Sequence, residues 1–203
     1  MSDGARSSDT RRDVCAGAAL VTLLAVQVVI GYEWLASGLT KVTSGTFVSG
    51  LAGDLAAKSR NAAHWYRSFL HGAIIPNGRV FAVLIEVGEI VVGVALIVAA
   101  VVWLTRWSRL SDRWRSAILV VTMLSALGAT FMAINFHLAN GANHPWLIPA
   151  DGFDETIDVD TVLAFIQTAL FIFSGHVLLK LRRQHQATTI AAEIGHDAAP
   201  APS

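Results

Sequence analysis

Four long apolar segments constrain the fold of this 203-residue chain more than any other feature. A helix needs about 20 mostly apolar residues to cross a bilayer, and each segment is long enough and contains no proline. A membrane β-barrel would instead show strands of about ten residues with alternating polarity, which runs such as EIVVGVALIVAAVVWL lack. The sequence therefore predicts an all-α integral membrane four-helix bundle. The predicted spans are Val14–Leu39, Val80–Leu104, Ser116–Leu138 and Val159–Leu181.

Composition supports this class and excludes others. Only 15% of the residues are charged, against about 25% in ordinary soluble domains. The 15 basic residues are balanced by 15 acidic ones, so no excess of positive charge indicates a nucleic-acid partner. The single cysteine, Cys15, cannot form an internal disulfide, a CxxC redox pair or a structural zinc site. The lipid bilayer is therefore the first predicted partner.

The distribution of lysine and arginine predicts the orientation, because cytoplasmic links of membrane proteins carry an excess of these residues. We expect a multi-pass protein of the plasma membrane with both termini in the cytoplasm. Residues 1–13 form a cytoplasmic tail, 14–183 the membrane domain, and 184–203 a disordered cytoplasmic tail without hydrophobic periodicity. The predicted inner side holds Arg6, Arg11, Arg12, Arg106, Arg109, Arg113, Arg115, Lys180, Arg182 and Arg183, and the link between spans three and four holds Asp151, Asp154, Glu155, Asp158 and Asp160.

The long link between spans one and two contains two apolar stripes. Phe47, Leu51 and Leu55 recur with the i, i+4, i+8 spacing of a helix face, and the run from Trp65 to Leu70 is also rich in apolar residues. This pattern favours short amphipathic helices that lie on the outer face or fold over the bundle. A plain loop that caps the helices is the alternative.

Polar residues within the spans collect at one depth. Ionisable groups inside a membrane are costly and usually face a cavity or one another. At a rise of about 1.5 Å per residue, four ionisable residues and two amides fall in the outer half of the bilayer, and Lys41 lies where it can reach a carboxylate on span two. The six are Glu33, Glu86, Glu89, Asn135, His137 and Gln167.

This set of residues suits proton uptake during the reduction of a quinone, because neighbouring carboxylates in a low-dielectric site share protons. The candidate catalytic residues are therefore Glu33, Glu86 and Glu89. The candidate quinone-binding residues are Lys41, Asn135, His137 and Gln167, and a quinone is the only cofactor that they suggest. The alternative is that these groups hold the bundle together through interhelical hydrogen bonds.

No metal site is predicted. Di-iron bundles use a Glu-x-x-His motif on facing helices, whereas span two carries Glu-x-x-Glu at Glu86 and Glu89. The outer histidines, His64, His71, His137 and His144, match no zinc or iron spacing.

The chain resembles the DoxX/DoxD family of small four-span membrane proteins. The resemblance rests on GYEWLASGLTKV at the end of span one, PNGRVFAVLIEVGEIVVGVALIV opening span two, and NFHLANG closing span three, and it extends over about Val14 to Leu181. It implies a four-helix membrane bundle similar to the small membrane subunit of a thiosulfate:quinone oxidoreductase, which works with a second oxidoreductase subunit. Glu33, Lys41, Glu86 and Glu89 match the family's polar pattern.

Three functions remain open. The first is a membrane subunit of a quinone-linked redox complex, with electrons delivered by a partner. The second is a non-catalytic scaffold or assembly partner for a redox or stress enzyme. The third is a proton-coupled transporter, which ranks last because the inner halves of the spans are nearly all apolar.

Overall fold

The computed structural model describes the backbone of residues 3–140 and 159–197, and the side chains of residues 17–60, 62–140 and 159–187. Within those ranges the chain is helical and contains no strand. The acidic link at 151–158 and the side chains of Arg6, Arg11 and Arg12 lie outside the described residues. The helices are α1 (Asp3–Ser44), α2 (Phe47–Lys58), α3 (His64–Phe69), α4 (Gly78–Arg106), α5 (Asp112–Ala139) and α6 (Val159–Asp197).

Four helical segments in the described part of the chain are long and apolar enough to cross a membrane: Gly17–Ser44, His64–Arg109, Asp112–Ala139 and Val159–Ala187. The prediction of an all-α chain with four helices able to span a membrane is therefore confirmed for the described residues. Large apolar side chains point away from the bundle along these helices, as Val87, Val91 and Leu124 do, with more than half of each exposed. Such a surface matches a lipid bilayer.

The main contacts between the long helices follow the order α1, α4, α5, α6. α1 lies along α4, α5 lies along α6, and α4 also contacts α5. Glycines allow the first contact to be close: a Cβ atom at Gly93 would lie 2.5 Å from the backbone nitrogen of Leu35 and 2.7 Å from the carbonyl oxygen of Gly31. Small residues at a membrane helix contact let the two backbones approach, so α1 and α4 form a tight pair.

Two of the long helices extend beyond the predicted spans. α1 begins at Asp3, and α6 continues to Asp197, through a stretch for which the composition predicts a disordered tail. Residues 184–197 contain no proline and include several alanines and glutamines, which are good helix formers. The helix therefore continues although the apolar run has ended.

The link between α1 and α4 folds onto the bundle. Leu51 and Leu55 of α2 are buried in one cluster with Tyr66, Leu70 and Ala82. From α3 the chain passes through a π-helical turn, Leu70–Ile74, and a 3₁₀ turn, Ile75–Asn77, directly into α4. We call the end of the bundle covered by α2 and α3 the capped end. The opposite end, where α4 ends at Arg106 and α5 begins at Asp112, is the arginine-rich end.

Candidate functional site

A cavity of about 400 Å³ lies at the capped end, between the roof formed by α2 and α3 and the neighbouring ends of α4 and α5. Its walls are mainly aromatic and aliphatic, with a few polar groups. This size and lining are typical of sites that bind small, largely apolar molecules. The apolar lining includes Phe47, Leu51, Leu55, Phe69, Leu70, Phe81, Ile85, Phe131 and Phe136, and the polar residues are Lys41, Asp54, Lys58, Tyr66, Asn135, Asn140 and Asp160.

The main polar feature of the wall is an ion pair between Lys41 and Glu89. The Lys41 Nζ atom lies 2.6 Å from both carboxylate oxygens of Glu89. The Glu89 side chain is completely buried, whereas the Lys41 side chain is 22% exposed. Lys41 lines the cavity and Glu89 does not, so the carboxylate lies behind the ammonium group.

Local geometry explains how a residue near the end of α1 reaches Glu89. Helical side chains tilt toward the N-terminus of their helix, so Lys41 points from the capped end back into the bundle. Gly38, one turn earlier, lies against α4, and a Cβ atom there would come within 3.1 Å of the Glu89 Cβ. Because glycine has no Cβ atom, α1 and α4 approach closely enough for Lys41 and Glu89 to pair directly.

The Lys41 ammonium group has three further neighbours. It donates a hydrogen bond to the Ser37 hydroxyl at 2.7 Å, and the ring centroids of Phe47 and Phe136 lie 5.4 and 5.6 Å from its Nζ atom. Aromatic rings attract a cation at such distances. α1, α2, α4 and α5 therefore all contribute to the surroundings of this one charge.

Glu86 lies one helical turn from Glu89 on α4 and is only 9% exposed. It makes no ion pair within the described part of the chain. Of the three predicted acids, the structure therefore pairs Glu89 with Lys41 and leaves Glu86 one turn away on the same helix without an ion pair among the described residues.

Asn135 also lines the cavity, where it is joined to the roof. The Tyr66 hydroxyl of α3 donates to Asn135, whose main-chain carbonyl and Oδ1 oxygens lie 3.0 and 3.1 Å away. The Asn135 Nδ2 atom donates in turn to the Phe131 carbonyl at 2.7 Å. This connection fastens α3 to α5 across the mouth of the cavity.

The other three predicted residues lie elsewhere. Glu33 is exposed on α1 and points away from the bundle, so it does not join Glu86 and Glu89. His137 contacts Thr161, with 3.3 Å between Nδ1 and Oγ1, and it does not line the cavity. Gln167 is completely buried on α6, and its amide has no hydrogen-bond partner among the described residues.

Sequence reasoning missed the polar residues that the roof contributes. Tyr66 belongs to an apolar stripe in the sequence, and nothing local indicates its partner 69 residues away. Asp54 and Lys58 form a salt bridge of 3.0 Å on α2 at the edge of the cavity, and their i, i+4 spacing is a signal that could have revealed them.

Comparison of the chain with protein-family models, with curated proteins and with solved structures found no match. The resemblance to the DoxX/DoxD family therefore stays a prediction. The site itself offers an apolar cavity, a cation at its wall, a buried carboxylate behind that cation and an amide held by a tyrosine. Chemically, it can accept a flat or elongated apolar molecule that carries hydrogen-bond acceptors.

Proposed function

We propose that this protein is the membrane subunit of a quinone-linked redox complex, and that the cavity at the capped end binds the quinone ring. The observation that carries the proposal is the Lys41–Glu89 pair, a charged donor with a buried acid behind it at the wall of an apolar cavity. A quinone ring is apolar apart from its two carbonyl oxygens, so it needs apolar walls and a few donors.

Lys41 and Asn135 are the groups that bind the carbonyl oxygens in this proposal. The three N–H donors of the Lys41 ammonium group face the two carboxylate oxygens of Glu89 and the Ser37 hydroxyl. In this proposal the donor that bonds Ser37 turns to a quinone carbonyl, while the contact with Glu89 is kept. The Asn135 amide lies on the α5 side of the same cavity. A donor at each side of the ring would orient it, and hydrogen bonds from a charged donor are the stronger kind.

Glu89 and Glu86 supply protons in this proposal. Reduction of a quinone to a quinol takes up two electrons and two protons. The acids provide a short proton relay to the Lys41 end of the cavity, since they lie one turn apart on α4. The electrons come from a second oxidoreductase subunit, as the resemblance to the thiosulfate:quinone oxidoreductase subunit implies.

We place the capped end on the outer side of the plasma membrane and both termini in the cytoplasm. Arginine and lysine side chains at the opposite end are mostly exposed, with Arg106, Arg109 and Arg182 all at the surface. An exposed cluster of this kind favours the cytoplasmic side. In this orientation α2 and α3 cover the cavity on the outer face.

Quinone binding to the purified full chain tests the proposal. A radiolabelled short-chain ubiquinone is titrated into the protein in detergent, and bound quinone is measured by equilibrium dialysis. We expect saturable binding that Ile85→Trp abolishes, because the larger ring occupies the cavity that Ile85 lines. Lys41→Met should weaken binding by roughly 10-fold or more, since a hydrogen bond to a charged group contributes about 1.5–3 kcal/mol.

The matched control is Val91→Trp, which adds the same ring to a lipid-facing position of α4 that is 58% exposed. That variant should bind quinone as the natural chain does. If Ile85→Trp binds normally, or if the natural chain shows no saturable binding, the quinone site is refuted and the role of a non-catalytic scaffold is favoured.

A further inference from the structure

A second cavity lies at the arginine-rich end, in the cleft between the start of α5 and the last turns of the membrane segment of α6. Its volume is about 360 Å³. On each helix the lining includes pairs at i, i+4, which lie on the same face of the helix. The lining residues are Asp112, Arg113 and Ser116 from α5, and Leu181, Arg182, His185 and Gln186 from α6.

Among the described residues, the lining of this cleft carries more positive than negative charge. Arg113 and Arg182, one from each helix, make no ion pair within the described part of the chain. The acid in the cleft, Asp112, is already bound by Arg115, whose Nη1 atom lies 3.1 Å from Oδ1. Two guanidinium groups therefore face one cleft without a carboxylate of their own.

With Val159 taken as the edge of the hydrocarbon layer at the capped end, the position of the cleft along α6 corresponds to the level of the lipid headgroups. From Val159 at the capped end, Arg182 is about 35 Å along α6 at 1.5 Å per residue, which exceeds the hydrocarbon thickness of about 30 Å and falls within the headgroup layer. Trp114, next to Arg113 in the chain, is 64% exposed and is the kind of residue found at this interface. Leu181 adds an apolar wall on the membrane side.

We propose that this cleft binds the headgroup of an anionic phospholipid. Arg113 and Arg182 bind the phosphate oxygens, for which the planar guanidinium group is well matched, while Ser116 and Gln186 provide polar contacts for the rest of the headgroup. A lipid is favoured over a free phosphate ion, because the cleft lies at the end of two membrane-spanning helices and Leu181 gives it an apolar wall beside the two arginines. This proposal is independent of the quinone site.

Native mass spectrometry of the purified full chain tests it. The protein is titrated with phosphatidylglycerol or with phosphatidylcholine of the same acyl chains, and the dissociation constant of each complex is measured. We expect tighter binding of phosphatidylglycerol. Arg113→Ala and Arg182→Ala should each weaken that binding about tenfold, and the double variant about 100-fold, because each change removes charge-assisted hydrogen bonds to the phosphate.

The matched controls are Arg183→Ala and Arg106→Ala, which remove the same charge at the same end but do not line the cleft. They should change binding by less than about twofold. Equal losses in the controls would overturn the proposal, because they would indicate attraction to general surface charge. Equal binding of the two lipids would also overturn it, and so would displacement of phosphatidylglycerol by inorganic phosphate at the same concentration.

Discussion

The ion pairs at the two ends of the bundle differ in burial. At the capped end, Lys41 and Glu89 pair between the helices, and the Glu89 side chain is completely buried. At the arginine-rich end, Arg115 and Asp112 pair at the surface, where their side chains are 24% and 57% exposed. The core beneath that second pair is apolar and aromatic, with Trp103 stacked on Trp107 at 4.1 Å between ring centroids.

The exposed charges at the arginine-rich end can interact with the membrane surface, whereas we propose that the buried pair at the capped end belongs to a binding site. Exposed basic groups at a membrane surface cost little and set orientation. A buried ion pair often stabilises a protein no more than apolar side chains of similar volume, so the presence of Lys41 and Glu89 between the helices requires a further reason. The cavity beside Lys41 supplies that reason in our proposal. The four predictions below test the contrast, from the largest expected effect to the smallest.

Removal of Glu89 should have the largest effect on stability. Glu89→Leu leaves the Lys41 ammonium group without its carboxylate, and this should cost about 3 kcal/mol, the lower end of the range for breaking a buried pair, because the Lys41 side chain is 22% exposed. The free energy of unfolding in mixed micelles measures the loss. The double variant Lys41→Met/Glu89→Leu should regain most of it, and a double variant as unstable as the single one would show that the charge pair is not the cause.

Closing the space at Gly93 should have the next largest effect. A Cβ atom there would lie 2.5 Å from the backbone of α1, so Gly93→Ala should destabilise the protein by about 1–3 kcal/mol through overpacking. The matched control is Gly128→Ala on α5, where no atom lies within 4 Å of the added Cβ. The control should be neutral or slightly stabilising, because alanine is the better helix former. Equal effects of both variants would contradict a close contact between α1 and α4.

Release of the roof should have an intermediate effect. Tyr66→Phe removes the hydrogen bond to Asn135 and should lower the stability by about 1 kcal/mol. Differential scanning calorimetry in detergent measures the change. Tyr32→Phe, at a position 65% exposed, should leave the melting temperature unchanged. A melting temperature unaffected by Tyr66→Phe would show that α3 does not depend on this bond.

The exposed pair at the arginine-rich end should have the smallest effect. Asp112→Ala removes the partner of Arg115, yet exposed pairs contribute only about 0.2–1 kcal/mol. Unfolding at low and high salt should show a small loss that decreases as salt screens the charges. A loss as large as that of Glu89→Leu would remove the contrast between the two ends.

Much of the fold could be predicted from hydrophobicity alone, because a bilayer permits few ways to satisfy the backbone of a long apolar segment. The pairing of Lys41 with a carboxylate of span two could also be predicted, since a long basic side chain at the outer end of span one can extend inward along the bundle and each group needs a partner. The structure confirms that pairing with Glu89.

The direction in which a side chain points around its helix axis could not be predicted as well as its depth in the bilayer. Glu33, Ser37 and Lys41 follow at i, i+4, i+8, and each step turns the stripe by about 40°. Over two steps Glu33 therefore turns out of the interface in which Lys41 lies, and it is exposed. The contact of Tyr66 with Asn135 joins residues 69 positions apart, and no local pattern reports such a distance.

The position of Lys41 also has a consequence for how the protein is made. Translation produces α1 before α4, so the lysine enters the membrane before its acid exists. Lys41 is three residues from the end of α1 at Ser44, where its long side chain can extend to the water surface until α4 is inserted. Glu89 lies about 16 Å inside α4 at the usual helical rise, and it is inserted beside a helix that already carries its counter-ion. Because α1 is made first, Glu89 enters the membrane with a basic partner already present.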